Sequence, residues 1–146
     1  MDLLYPFMLT IHLLCAITFG GAVIFEVLVL DSLHSTFSIE TMHQIEGGIV
    51  KRAKKIMPWV VGLLFLTGLG MLHHRFPTLP TIVESSFGKI LLIKISLAGT
   101  VLVCFITALT LFSLDKMTPR IFKNIHLTVF SCVITIIILA KAMFYL

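Results

Sequence analysis

Apolar residues in this chain run almost unbroken over four long stretches, at about 3–30, 56–74, 87–114 and 121–146. A hydrocarbon layer about 30 Å thick is crossed by roughly 20 apolar residues in a helix. Lipid offers the backbone no hydrogen-bond partners, so each stretch is expected to be helical. The pattern predicts an all-α integral membrane protein, a single four-helix bundle domain over residues 1–146. Between the stretches lie a polar segment rich in charge, a Pro-containing loop around Pro77 and Pro80, and a short break before Pro119. Pro58 falls either in the first turn of the second span or inside a longer helix starting near Ser38. The first stretch is too long for a signal-peptide core, has no basic segment before it and shows no small-residue cleavage site. It is expected to be a retained span.

Composition strengthens this picture. The chain is 58% hydrophobic and 12% charged, whereas soluble domains average about 45–50% apolar and about 25% charged residues. Its mean hydropathy is +1.09. The first expected partner is the lipid bilayer. A net charge of +4 does not imply nucleic acid here, because most basic residues flank the apolar stretches. Lys51, Arg52, Lys54 and Lys55 precede span two, and Lys116, Arg120 and Lys123 lie between spans three and four. The opposite side holds only Arg75 and Lys89 in its loop. The positive-inside rule then puts both termini on the outer, periplasmic side of a bacterial cytoplasmic (inner) membrane.

Ionisable groups inside spans are costly in lipid and so mark candidate chemistry. With Leu30, Lys55, Leu114 and Arg120 set at the inner surface, His12, His73, Lys94 and Lys141 fall in the outer half. Glu26 comes level with Asn124 and His126. Tyr5, His12, Phe19 and Glu26 share one face of span one, and Lys55, Gly62, Leu66 and His73 share one of span two. Lys94, Ala98, Val101, Phe105, Ala108 and Phe112 share a face of span three. These faces are expected to point into the bundle. Plainer roles compete: His34 and His43 as solvated loop residues, His73 and His74 at the headgroups, and Lys89 and Lys141 snorkelling outward. The Phe residues suit core packing, and Cys15, Cys104 and Cys132 match no zinc or disulfide spacing.

Imidazoles in a helical bundle are a usual way to hold haem iron. His12 with His73 is the expected axial pair, with His74 as substitute. His126 is expected to ligate a second iron or to exchange protons with Glu26. Arg75, Lys94 and Lys141 could neutralise propionates. Copper is the competing metal, since Cu(I) takes soft sulfur and imidazole. The seven methionines are scattered, however, with no Met-x-Met or Cys-x-x-Cys.

The sequence L-T-I-H-L-L-C-A-I-T-F-G-G of span one, K-I-M-P-W-V-V-G of span two and F-G-K-I-L-L-I-K-I-S-L-A of span three resembles the HemJ-type protoporphyrinogen oxidases and the related CopD-like membrane domains. F-K-N-I-H and L-A-K-A-M-F in span four extend the resemblance. It implies a haem b protein with a redox role, either porphyrinogen oxidation or electron transfer, for which a membrane quinone could be the acceptor. His12 would ligate the iron and Lys94 would bind substrate or a propionate. From its place in span one, and not from the resemblance, Glu26 is expected to join Lys94 as a catalytic group. The CopD-like side implies copper handling without enzymatic activity. A third reading is an assembly subunit that binds a homodimer mate or a larger membrane complex. The chain departs from the oxidase pattern at Phe25-Glu26, where that family carries Pro-Arg, and at Asn124-Ile125, where it carries Asn-Glu.

Overall fold

The computed structural model describes residues 3–78 and 80–146, and among them the regular structure is helical throughout, with no strand. Four helices are long and apolar enough to cross a membrane. This suits a multi-pass membrane protein, and large apolar side chains such as Trp59 (77% exposed) and Leu66 (68%) cover the outside. Such continuous apolar surface is tolerated where lipid, not water, is the solvent.

The chain forms two compact units, residues up to His74 and residues from Arg75 onward. In the first, α1 spans Leu4–Phe25. It continues without a break through a π-helical turn at Glu26–Leu30 and a 3₁₀ segment at Asp31–Ser35. After three residues the chain turns back as α2, Ile39–Arg75. Ser38 starts it: its hydroxyl accepts from the Thr41 N–H at 3.3 Å and its carbonyl from the Met42 N–H at 3.0 Å.

The polar segment expected between spans one and two is thus almost wholly helical. Of the two roles open to Pro58, the structure takes the second, inside a 37-residue helix. At 1.5 Å per residue α2 is about 55 Å long, well beyond the hydrocarbon thickness. The apolar run from Ile56 alone is long enough to cross, and the polar first half extends beyond it.

The two helices of this unit run antiparallel with a constant register. Tyr5 meets His74, Met8 lies over Gly70 and His12 over Gly68, and His34 reaches Glu46. The paired residue numbers sum to nearly the same value from one end to the other. Leu30 and Met42 are buried near the polar end, Met42 at 1% exposure.

In the second unit a single turn, α3 (Pro80–Val83), leads into α4 (Ser86–Ser113). Ser85 caps α4, its hydroxyl accepting from the Gly88 N–H at 3.0 Å. α4 ends where Asp115 takes a left-handed conformation (φ 52°) and the Lys116 N–H returns to the Leu111 carbonyl at 2.9 Å. This is a Schellman closure, with Asp replacing the usual Gly. Thr118 then caps α5 (Pro119–Ala142), and Pro119 occupies the first turn, where no N–H is needed. α4 and α5 pack antiparallel. Phe112 meets Phe122 beside the turn, and Phe87 meets Phe144 at the far end.

Candidate functional site

His12 lies half-buried on α1, and its surroundings follow from small residues on α2. Its Nδ1 is 2.9 Å from the Leu64 carbonyl oxygen and 3.2 Å from the Thr67 hydroxyl. A carbonyl can only accept, so Nδ1 carries the proton and the basic lone pair belongs to Nε2. Thr67 gives its own proton to the Leu63 carbonyl at 2.6 Å. The imidazole fits because residue 68 is glycine: a Cβ there would stand 3.1 Å from His12 Cε1. Two residues further along, a Cβ on Gly70 would stand 2.8 Å from Met8 Sδ.

This contact decides which face of α2 looks toward α1, and it corrects an expectation. The face with Lys55, Gly62, Leu66 and His73 is exposed rather than inward. The inward face holds Val61, Leu64, Thr67 and Gly68, because glycine lets the helices approach there and Leu66 does not. His73 stands about 120° round the helix from Thr67, so it does not pair with His12. His74 lies within about 20° of Thr67, but about 10 Å further along the axis. Its ring stacks at a tilt on Tyr5, with centroids 5.5 Å apart. Neither residue shares the Leu64 and Thr67 contacts of His12. Among the described residues no group of three or more His, Cys, Asp and Glu could hold a metal ion.

On α1, Met8, His12 and Cys15 follow i, i+4, i+7 spacing and share the face that carries His12 toward α2. Sequence reasoning counted methionines by pair motifs and so missed this combination. Helical spacing would have found it. The same oversight hid Thr67, Gly68 and Gly70, whose Thr-Gly-x-Gly run carried the signal. Glu26 is half-buried at the start of the π-helical turn, and the register of this unit carries it to the level of residues 52–54 of α2. π turns inside α-helices often accompany functional positions.

His34 is exposed, as expected, and also has acceptors near both nitrogens. Nδ1 is 3.0 Å from the Asp31 carbonyl and Nε2 is 2.8 Å from a Glu46 carboxylate oxygen. His43 is exposed as expected.

In the second unit the expected Lys94 face is at least half-buried along its whole length, with Val101 at its centre. The Lys94 ammonium is 3.7 Å from the thioether of Met143. A thioether is a weak acceptor, so this cation is poorly compensated in an apolar span. The same end of the unit gathers other cations and rings. Arg75 lies over the Phe87 ring at 5.3 Å, and Lys141 lies over Tyr145 at 5.2 Å. Phe87 also contacts Phe76 and Phe144. Lys141 is exposed, as a snorkelling side chain would be.

At the opposite end His126 stacks on Phe122 with centroids 4.0 Å apart, and its Nδ1 is 2.9 Å from the Phe122 carbonyl. The lone pair of this ring too therefore belongs to Nε2. Compared with known protein families, characterised proteins and solved structures, the chain matches none.

Proposed function

We propose that this chain is a b-type haem protein of a bacterial cytoplasmic membrane with a redox role, in which His12 is an iron ligand. One observation carries the reading: the Nδ1–H of His12 is given to the Leu64 carbonyl at 2.9 Å. Metal-ligating histidines characteristically donate their second N–H to a carbonyl or carboxylate, which fixes the tautomer and raises the basicity of the ligating nitrogen. The donor set fits an iron with one protein ligand from this unit. The haem supplies one-electron chemistry when bound. The protein's part is to hold the imidazole through Leu64 and Thr67 and to exclude water with the apolar flanks of α1.

In the second unit Lys94 is suited to bind a carboxylate, because an anion would replace a thioether with a charge-assisted partner. That suits a propionate or a porphyrin substrate equally, so porphyrinogen oxidation and electron transfer to quinone share this requirement.

Copper handling is favoured by a separate observation. Met8, His12 and Cys15 align on one face, a sulfur–nitrogen–sulfur set to the taste of Cu(I).

The test is an absorption spectrum with metal analysis on protein purified after expression with ample haem. A Soret band lost in His12→Ala and kept in His73→Ala and His74→Ala supports the haem reading. Colourless protein with stoichiometric copper, lost in Met8→Ala and Cys15→Ala, supports the copper reading. Protein with neither defeats both and leaves an assembly subunit as the reading to pursue.

A further inference from the structure

The polar first half of α2 carries a second feature, on the face opposite in chemistry to the His12 seat. Gly48, Lys51, Arg52 and Lys55 follow i, i+3, i+4, i+7 spacing and line one open concavity of about 250 Å³. Gly48 is among its lining residues, and a Cβ there would stand in open space, with nothing within 4 Å. Three cations thus border a hollow left by a missing side chain.

Among the described residues none of Lys51, Arg52 and Lys55 takes part in an ion pair. The nearest carboxylate along the helix, Glu46, is engaged by His34 Nε2 at 2.8 Å. The second basic group differs, because Asp115 stands beside Lys116 in the α4–α5 turn.

Position selects the ligand. Lys55 is the last charged residue before the apolar run that starts at Ile56, so the hollow lies at the depth where phosphates meet hydrocarbon. Trp59, one turn further in and exposed, is the kind of ring that settles at this boundary. A soluble acidic protein would have to reach into the headgroup layer to use it, whereas a lipid phosphate is already there.

We propose that Gly48, Lys51, Arg52 and Lys55 form a binding site for the phosphate headgroup of an anionic phospholipid. The three cations supply charge and hydrogen-bond donors to the phosphate oxygens, and the absent side chain of Gly48 admits the headgroup against the helix backbone. Each basic residue near a membrane surface contributes about a fivefold gain in affinity for anionic lipid.

The experiment is native mass spectrometry of the full-length purified chain, titrated with phosphatidylglycerol, phosphatidylcholine or inorganic phosphate. The expected result is retained phosphatidylglycerol, with little phosphatidylcholine. K51Q/R52Q/K55Q lowers phosphatidylglycerol retention by at least about tenfold, and K116Q/R120Q/K123Q changes it far less. Gly48→Leu fills the hollow, keeps every charge and favours the helix. It should lower retention as well, which separates a built site from loss of charge or a change of topology. Equal retention by Gly48→Leu and wild type overturns the proposal, as does equal loss in both triple variants. Displacement of lipid by millimolar inorganic phosphate overturns it in favour of a soluble-anion site.

Discussion

At the scale of single residues, two glycines only two positions apart, Gly68 and Gly70, do different work. A Cβ on Gly70 would press on the end of a flexible methionine, which can rotate away. A Cβ on Gly68 would press on an imidazole ring held at Nδ1 by Leu64 and Thr67. Gly68→Ala is therefore expected to tilt His12 and weaken metal or haem retention by about 10–100-fold, the usual effect of disturbing a ligand's supporting shell. Gly70→Ala should leave retention within a few fold of wild type. Titration of both variants with hemin, followed at the Soret band, checks the contrast.

Lys94 makes the opposite case, a costly group without a strong partner. Lys94→Met keeps the stem and removes the charge. Its thermal midpoint in detergent should hold or rise, while affinity for a carboxylated porphyrin falls about tenfold or more, the worth of one charge-assisted bond. His12 and Lys94 were legible from the sequence because a charged or basic group in an apolar run stands out. The partner of His12 was not, because a backbone carbonyl has no letter of its own and glycine marks a site only once the facing helix is known.

At the scale of elements, the four apolar helices could be read from hydropathy alone, within a few residues at most ends. The length of α2 could not. Residues 39–55 mix charges and apolar positions, a pattern shared by solvated helices and loops. Only pairing with the extended end of α1 turns it into a helix. The His34–Glu46 contact is part of that pairing, and both side chains are partly exposed. Glu46→Gln should therefore cost no more than about 1 kcal/mol of stability. Its effect should be local: faster amide exchange over residues 31–46, with the apolar spans unchanged.

The joint between α3 and α4 is less forgiving. A Cβ on Gly88 would collide with the backbone carbonyl of Ile82, the residue that buries the short turn. Backbone cannot rotate away as a side chain can. Gly88→Ala should destabilise the second unit by about 3 kcal/mol or more, read as a lower melting temperature in detergent. The Ser85 cap could be anticipated from its place just before an apolar run. The steric need for Gly88 was invisible until the chain folded back.

At the scale of the whole molecule, orientation is set by where the cations lie relative to the apolar helices. Seven of the 11 Lys and Arg residues, Lys51, Arg52, Lys54, Lys55, Lys116, Arg120 and Lys123, fall before α2's apolar half or in and around the α4–α5 turn. With four spans, the positive-inside rule predicts that those two regions share the inner side and that both termini lie outside. The structure adds a reason for this bias to be firm. The first basic group is built into a continuous helix, so its charges stay within a short distance of the span they orient. A C-terminal alkaline phosphatase fusion should then be active and a C-terminal green fluorescent protein fusion dark. Neutralising Lys51, Arg52, Lys54 and Lys55 together should produce a mixed population, because Lys116, Arg120 and Lys123 still favour the original orientation. An inactive phosphatase fusion on the wild type would invert the assignment. It would also put the Gly48 hollow on the outer face, where the same lipid-binding measurement would have to be read against a different leaflet.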